Sequence, residues 1–215
     1  LEELTRTLYE RHHFRGNTEA YYDPRNSFLN DVIDRRRGIP LTLGIVFLEV
    51  GWRLGLSLEG VAFPHHFLVR FRGTGMDLLL DPFHGGEARF EDEAQELLDR
   101  VYGGMVRVLP SFLRTASRRD MLIRLLNNLK SIYLNTGDEL KALGVVERIL
   151  LLRPDAAPER KTLGVLLARM GRHEEALEEL RRYLASEPET RERARIEGMV
   201  DNLEAGRRID EEVEP

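Results

Sequence analysis

The second half of the chain repeats itself at a fixed interval, and this repeat constrains the fold more than any other feature of the sequence. Residues of the same type recur 34 positions apart in one register, namely Leu129 and Leu163, Gly137 and Gly171, Ala142 and Ala176, Leu143 and Leu177, and Pro154 and Pro188. Between them, apolar residues recur at helical spacing. Because glycine favours a helix-ending turn and proline cannot continue a helix, each unit is predicted to be two antiparallel helices.

An interval of 34 residues is that of tetratricopeptide (TPR) repeats, which stack helix pairs into a solenoid. Two repeats are predicted within 115–208, at about 120–154 and 155–188, followed by a capping helix that covers the last apolar face. The predicted elements are helices at about 120–135, 139–152, 157–169 and 173–186, a cap at 189–207 with Ile196, Val200 and Leu203 on one side, and an acidic tail at 209–215.

Residues 1–114 have a different residue pattern from the repeats, because stretches rich in glycine, proline, aromatic and β-branched residues alternate there with helical stretches. An α+β domain is predicted, with a buried central helix packed on a small antiparallel sheet. The central helix is expected at 41–54, since this stretch is apolar nearly all round and Pro40 suits its first turn. The other predicted elements are helices at 2–11 and 26–36, strands at 58–63, 67–71 and 77–80, and a hairpin turn at Gly73-Thr74-Gly75.

Composition excludes several classes of function. The 215 residues include no cysteine, which excludes disulfides, thiolate metal sites and a cysteine nucleophile. The net charge is −5 and the basic clusters are short, so no nucleic-acid partner is expected. No apolar run could span a membrane, and the N-terminus lacks the features of a signal peptide. A cytoplasmic protein is expected, and the missing initiator methionine indicates a fragment or a processed product.

The residues best suited to chemistry lie between positions 64 and 86. His66 opens one predicted strand and Asp81 closes the next, so their side chains are expected at neighbouring points of the sheet. A carboxylate that orients an imidazole serves nucleophilic catalysis when a third group attacks the substrate. That group is expected at the start of the buried helix, where the helix dipole stabilises a thiolate. The sequence there is Gly38-Ile39-Pro40-Leu41-Thr42, which contains no cysteine.

Five ordered segments resemble the bacterial SirB-like family, which has a transglutaminase-like core followed by TPR repeats. They are YYDPRNSFLN at 21–30, RRRGIPLTL at 35–43, LGL at 54–56, HFLVR at 66–70 and LDPFHGG at 80–86. The resemblance covers essentially the whole chain and implies a papain-type arrangement of Cys, His and Asp. In that pattern His66 matches the histidine, Asp81 matches the aspartate, and Pro40 stands at about the cysteine position. The resemblance therefore implies the fold and argues against acyl-transfer activity.

Two interpretations are open for the residues near this incomplete triad. The Thr42 hydroxyl could replace the thiol if His66 activates it, although a first-turn threonine that satisfies backbone groups is the simpler interpretation. The His66–Asp81 pair either keeps a ligand-binding function or only fixes the strands. His65 and His84 could join the pair in a metal site, but scattered histidines are a weak signal, so no metal and no cofactor are assigned.

The second predicted helix and the residues after it contribute three candidate binding residues. Asn26 and Asn30 fall one turn apart and are expected to share a face, where an amide could hold an oxyanion. The simpler interpretation makes Asn26 a helix cap and Asn30 a buried hydrogen-bonding group. Arg37 is a candidate anion-binding residue beside Gly38, although a solvated last helical turn explains the basic run at 35–37 more simply.

The function favoured by the sequence is a protein-interaction scaffold with a degenerate, non-catalytic transglutaminase-like domain, a pseudoenzyme. Its expected partner is a protein or peptide bound by the TPR groove, by the degenerate cleft, or by both. The alternative is a hydrolase or acyl transferase in which Thr42 is the nucleophile. A third hypothesis is a metal-dependent enzyme that uses His65, His66, Asp81 and His84. The sequence assigns no oligomeric state.

Overall fold

The computed structural model describes residues 1–73, 76–90, 93–186 and 191–207. The chain forms two compact units, Leu1–Leu125 and Leu126–Pro215. None of the helices in the described part of the chain combines the length and the apolar composition that a membrane span requires.

The N-terminal unit is an α+β domain, as predicted. Its helices are α1 (Glu2–Arg6), α2 (Leu29–Arg35), α3 (Pro40–Arg53), α4 (Ala94–Tyr102) and the first turns of α5 (Arg118–Asn135). Its strands are β1 (Arg15–Gly16), β2 (Arg37–Gly38), β3 (Leu58–Val61), β4 (Leu68–Gly73), β5 (Met76–Asp81) and β6 (Glu87–Arg89). A π-helical turn over Thr7–Arg11 extends α1 across the predicted first helix.

The main sheet is antiparallel throughout, in the order β3-β4-β5-β6. The small antiparallel sheet predicted from the sequence is therefore confirmed, and β6 and α4 are elements that the sequence analysis missed. Strands β4 and β5 pair from Val69↔Leu80 to Gly73↔Met76. Thr74 and Gly75 of the predicted hairpin turn lie outside the described residues.

The two faces of this sheet bury two separate apolar clusters, as the alternation of side chains along a strand requires. On one face, Val69 and Leu80 pack in a cluster with Phe47 and Leu48 of α3. On the other face, Leu68 and Leu79 pack in a cluster with Leu97 and Leu98 of α4. The sheet is therefore covered by α3 on one side and by α4 on the other.

Helix α3 is the buried central helix that the sequence predicted. Leu41, Leu43 and Phe47 are at most 2% exposed. Its glycines allow close packing, because a Cβ atom at Gly44 would lie 2.3 Å from a ring carbon of Phe67. The helix therefore needs glycine where the sheet contacts it.

The predicted helix at 26–36 is wrong over its first three residues. A 3₁₀ turn occupies Pro24–Ser27, the chain is extended at Phe28, and α2 begins only at Leu29. The reason is local, because Asp23 accepts a hydrogen bond from the Arg25 N–H and caps the short turn. The predicted apolar side of this helix is also only partly buried, since Ile33 is 55% exposed.

The C-terminal unit confirms the predicted helical repeat. Helices α6 (Glu139–Leu152), α7 (Ala157–Arg169) and α8 (His173–Ser186) have the predicted bounds, and α9 (Arg193–Glu204) lies within the predicted cap. The repeated glycines Gly137 and Gly171 both adopt positive φ, at 71° and 76°. Ala142 and Ala176 are both completely buried, as are equivalent residues in a true repeat. Pro188 and the predicted tail at 209–215 lie outside the described residues.

Two ion pairs recur at nearly the repeat interval in the C-terminal unit. Lys130 of α5 contacts Glu159 of α7 at 2.6 Å, and Lys161 of α7 contacts Glu192 at the start of α9 at 2.6 Å. In both pairs the cation belongs to the earlier helix and the carboxylate to the later one. The side chains of Lys130 and Glu159 are only 19% and 11% exposed, so the first pair is well shielded from water.

Candidate functional site

The end of β5 and the start of β4 place the predicted His–Asp pair side by side. The antiparallel register that pairs Val69 with Leu80 leaves His66 and Asp81 at the same edge of the sheet. His66 Nε2 lies 2.8 Å from Asp81 Oδ1. The imidazole therefore uses Nε2 for the carboxylate, which leaves Nδ1 to face any reacting group.

Asp81 is the centre of the site and is 1% exposed. Its Oδ1 also accepts hydrogen bonds from the backbone N–H groups of Phe83 and His84, at 3.1 and 3.3 Å. Its Oδ2 lies 2.9 Å from Nδ1 of His84. Burial alone raises the pKa of this carboxyl, but the hydrogen bonds and charges of His66 and His84 outweigh it and hold the pKa at about 2.

The two imidazoles that contact Asp81 lie next to each other. The rings of His66 and His84 stack with centroids 5.8 Å apart and an interplanar angle of 27°. Phe83 packs edge-to-face against both rings. Within the described residues, no hydrogen-bond partner is found for Nδ1 of His66. The arrangement is one buried carboxylate held between two imidazoles, each with its second ring nitrogen turned away from the carboxylate.

A small cavity of about 140 Å³ lies beside these histidines. Its lining combines apolar and basic groups, from Phe63, Pro64, His65, His66, His84, Leu97 and Arg100. The His84 side chain is 51% exposed, so the cavity and the imidazole are reached from solvent. A small ligand could therefore contact both histidines.

Thr42 lies in the first turn of α3 and is completely buried. Its hydroxyl donates a hydrogen bond to the Asn26 carbonyl at 2.8 Å and accepts one from the Ile39 N–H at 3.1 Å. Across the described residues, no hydrogen bond joins this hydroxyl to His66. Pro40, the first residue of the same helix, is also buried.

The expectation that Asn26 and Asn30 share a helix face is wrong. Asn26 belongs to the 3₁₀ turn and is completely buried, whereas Asn30 lies on α2 and is exposed. The simpler interpretation is wrong as well, because Asn26, and not Asn30, is the buried hydrogen-bonding residue. It donates to the Ala20 carbonyl at 2.7 Å and accepts from Asn17 at 2.9 Å.

The other two candidate binding residues make separate contacts. Arg37 Nη1 donates to Glu19 Oε2 at 3.0 Å on the surface of the domain. His65 is exposed, has a positive φ of 53°, and packs edge-to-face on Tyr102 at 5.4 Å. His65 lines the small cavity but does not contact Asp81, so the cluster that forms around this carboxylate contains His66 and His84 only.

Three residues near the site were not identified from the sequence. Tyr9 is buried, and first this burial and then the charge of Asp81 raise the pKa of its hydroxyl. Tyr21 packs edge-to-face on Phe83, with ring centroids 6.2 Å apart. Arg124 donates to the Phe63 carbonyl at 3.1 Å, and burial lowers the pKa of its guanidinium. These residues reach the site through tertiary packing, and no local motif marks them.

Comparison with known proteins agrees with both units of the fold. Residues 1–127 match the transglutaminase-like superfamily, and residues 129–201 match the tetratricopeptide repeat family. Tetratricopeptide repeats commonly mediate protein–protein interaction. No solved structure matches the chain.

Several bacterial proteins are similar over most of the chain. A UPF0162 protein of Xylella fastidiosa is 37% identical over 203 residues, which cover 93% of this chain and 72% of that protein. A UPF0162 protein of Vibrio cholerae is 30% identical over 184 residues, covering 85% and 68%. The human F-box only protein 21 is 29% identical over 140 residues, covering 61% of this chain and 21% of that protein. The chain therefore belongs to the transglutaminase-like superfamily and, within it, to the SirB-like family of UPF0162 proteins.

Proposed function

We propose that this protein is a protein-binding scaffold whose transglutaminase-like domain is non-catalytic and whose TPR repeats bind a protein or peptide partner. The observation that carries the proposal is the first turn of α3. Pro40 has no nucleophilic atom, the chain has no cysteine, and the Thr42 hydroxyl is buried with both hydrogen bonds made. Among the described residues, the His66–Asp81 pair is assembled, and no side-chain hydroxyl hydrogen-bonds to His66 as a nucleophile would.

The hydrogen bonds of Thr42 argue against the alternative nucleophile. To attack a carbonyl, its hydroxyl would have to give its proton to a base such as His66. Its proton is instead directed at the Asn26 carbonyl, and rotation of the side chain would also leave the buried Ile39 N–H without its acceptor. An unpaired buried group costs about 1–3 kcal/mol. The hydroxyl is therefore a structural group in this proposal.

An apolar groove in the N-terminal unit supports a binding role. It encloses about 460 Å³ and is lined chiefly by apolar side chains of α2, α3 and the start of α5. Ile33 and Leu122 in this lining are 55% and 48% exposed, and exposed apolar patches mark interaction sites. Its charged lining consists of Glu49, Arg53 and Arg118, which together carry one net positive charge. The occupant that fits this chemistry is an amphipathic helical peptide with acidic residues at its flank.

The absence of catalysis is tested by incubation of the purified protein with an activated ester, followed by intact-mass and peptide mass spectrometry. We expect no acyl adduct on Thr42 and no turnover above buffer. Wild type and His66→Ala should behave identically. An adduct on Thr42 that disappears in both Thr42→Val and His66→Ala would overturn the proposal and establish the hydrolase alternative.

The binding role is tested with a phage-displayed peptide library and a matched pair of variants. Selected peptides should carry apolar residues at helical spacing with flanking Asp or Glu, and should bind wild type but not Leu122→Asp. Met105→Asp is the control, since Met105 is 85% exposed, belongs to the N-terminal unit and lies outside the groove lining. Selection of no such peptide, or equal binding to Leu122→Asp, would contradict the assignment of the groove.

A further inference from the structure

Three side chains of metal-ligand type converge where β4 begins and β5 ends. Nε2 of His66, an oxygen of Asp81 and Nδ1 of His84 all lie within 4.8 Å of one another. They come from separate elements, namely the turn before β4, the last residue of β5 and the 3₁₀ turn Pro82–His84. In the described ranges of the chain, this is the one group of three or more such side chains that lies so close together.

We propose that His66, Asp81 and His84 bind a divalent transition-metal ion, with two imidazole nitrogens and one carboxylate oxygen as its ligands. Imidazole nitrogen with a carboxylate oxygen suits zinc and the neighbouring divalent ions, which bind these groups at about 2.0–2.2 Å. Calcium and magnesium prefer oxygen ligands and fit this donor set poorly. The proposal does not depend on the protein-binding function proposed above.

The backbone already orients the carboxylate for such a role. Asp81 Oδ1 accepts hydrogen bonds from the N–H groups of Phe83 and His84. These bonds hold the carboxylate in place, and an N–H group is not itself a metal ligand. The turn that brings His84 back to Asp81 ends at Gly85, which adopts a positive φ of 74°. A side-chain-to-backbone cap thus fixes the i, i+3 spacing of Asp81 and His84.

Metal binding requires a defined movement of protons on the two imidazoles. Nε2 of His66 and Nδ1 of His84 now point at the carboxylate oxygens, at 2.8 and 2.9 Å. To coordinate an ion through these atoms, a neutral imidazole carries its proton on the other ring nitrogen, and a protonated imidazole releases one proton. His84 is half-exposed, so its Nε2–H would meet water. The carboxylate then neutralises one of the two charges of the ion.

Three protein ligands leave at least one coordination position open. The cavity of about 140 Å³ that His66 and His84 line provides room for a water molecule or a small ligand at that position. Phe63 and Leu97 supply apolar surface in the same cavity. The site therefore has an entry path for the ion and a partly apolar pocket around its open face.

The test uses the full chain without an affinity tag, after dialysis against a chelator. Zn²⁺ is titrated by isothermal calorimetry, and Co²⁺ is titrated by visible absorption, which reports nitrogen and oxygen coordination. We expect one ion per chain. His84→Ala should weaken Zn²⁺ binding by at least about 10-fold, the lower end of what loss of a metal-site partner costs. Because His84 is half-exposed, this variant should fold, which circular dichroism and the fluorescence of Trp52 verify.

A matched control separates this cluster from other histidines. His12 and His13 are both exposed and distant in sequence, so His12→Gln/His13→Asn should bind Zn²⁺ as wild type does. The proposal is overturned if wild type shows no stoichiometric binding, if His84→Ala binds equally tightly, or if the His12/His13 variant loses the binding. Because the probe is the metal alone, none of these outcomes affects the test of partner binding.

Discussion

Replacement of Thr42 by valine tests the structural role assigned to its hydroxyl. Valine has nearly the same volume as threonine and fills the same buried space, so the change removes the contacts of the hydroxyl with Asn26 and Ile39 and little else. It leaves the Asn26 carbonyl and the Ile39 N–H without the partner that they have at 2.8 and 3.1 Å. Asn26 is 0% exposed and Ile39 is 4% exposed, so water cannot readily replace the hydroxyl.

The size of the effect follows from these two contacts. Each buried polar group left unpaired costs about 1–3 kcal/mol, and the carbonyl tolerates the loss better than the N–H does. We therefore expect Thr42→Val to lower the free energy of unfolding by about 2–4 kcal/mol. Thr42→Ser is the matched control, because it keeps the hydroxyl and removes one methyl group, at a cost of about 1 kcal/mol.

The assay is urea denaturation followed by tryptophan fluorescence. Trp52 is the single tryptophan of the chain and lies in α3, the helix that contains Thr42. Its indole N–H donates to the Leu58 carbonyl at 2.9 Å, and the Arg118 guanidinium lies 4.9 Å from its ring centre. These contacts are lost on unfolding, so the signal reports the N-terminal unit specifically.

Two outcomes would refute the reasoning. If Thr42→Val is as stable as wild type within about 0.5 kcal/mol, the hydroxyl does not satisfy two buried groups. If Thr42→Ser is destabilised as much as Thr42→Val, the methyl group matters and the hydrogen bonds do not. Either result would reopen the possibility that the hydroxyl of Thr42 is available as a nucleophile.

Three further predictions concern packing, an ion pair and pH. Gly44→Ala should lower the free energy of unfolding by about 1–3 kcal/mol in thermal melts, because its methyl would lie 2.3 Å from a ring carbon of Phe67. Gly198→Ala, whose methyl would have nothing within 4 Å, should raise the free energy of unfolding by about 0.5–1 kcal/mol. Lys130→Met should lower the melting temperature, because it leaves the Glu159 carboxylate, only 11% exposed, without its cation. The double variant Lys130→Met/Glu159→Gln should recover part of this loss, because it removes the unpaired charge as well. Hydrogen bonds from the Thr115 hydroxyl and the Arg72 guanidinium lower the pKa of Glu59. The stability that this carboxylate contributes is therefore present at neutral pH and is lost as the pH falls below about 4.3. Glu59→Gln should weaken the loss of unfolding free energy at acid pH, measured by urea denaturation.

Each of these predictions has its own contrary result. A stable Gly44→Ala protein would mean that α3 and the sheet are not in close contact. Equal melting temperatures for the single and double Lys130 variants would mean that the two charges are uncoupled. An unchanged acid limb in Glu59→Gln would place the acid sensitivity in other carboxylates.

The repeats were predictable because their signal is redundant. Each position of the repeat occurs twice in the sequence, and the glycine, alanine and leucine positions all recur at the same interval of 34 residues. The approximate helix bounds that follow from Gly137 and Gly171 therefore agree with α6, α7 and α8. Redundancy of this kind does not exist in the N-terminal unit, where β6 and α4 went unpredicted.

The candidate site was only partly predictable, for a physical reason that differs from residue to residue. His66 and Asp81 could be placed together because His66 lies just before β4 and Asp81 ends β5, and the antiparallel pairing of the two strands brings these positions into contact. The contact of His84 with Asp81 depends on the Asp-Pro turn, in which the carboxylate accepts backbone N–H groups at i+2 and i+3. That motif is visible in the sequence. The position of Arg124 beside Phe63 depends on packing across 61 residues, and no sequence pattern marks it.

The two ion pairs of the repeats give the helical stack a direction. Lys130 meets Glu159 and Lys161 meets Glu192, so each contact places a lysine of the earlier layer against a glutamate of the later one. If the middle layer were inverted, Lys161 would face Lys130 and Glu159 would face Glu192. A designer could therefore lengthen the array by inserting a further layer with the same polarity, and the paired charges would fix the orientation in which that layer stacks.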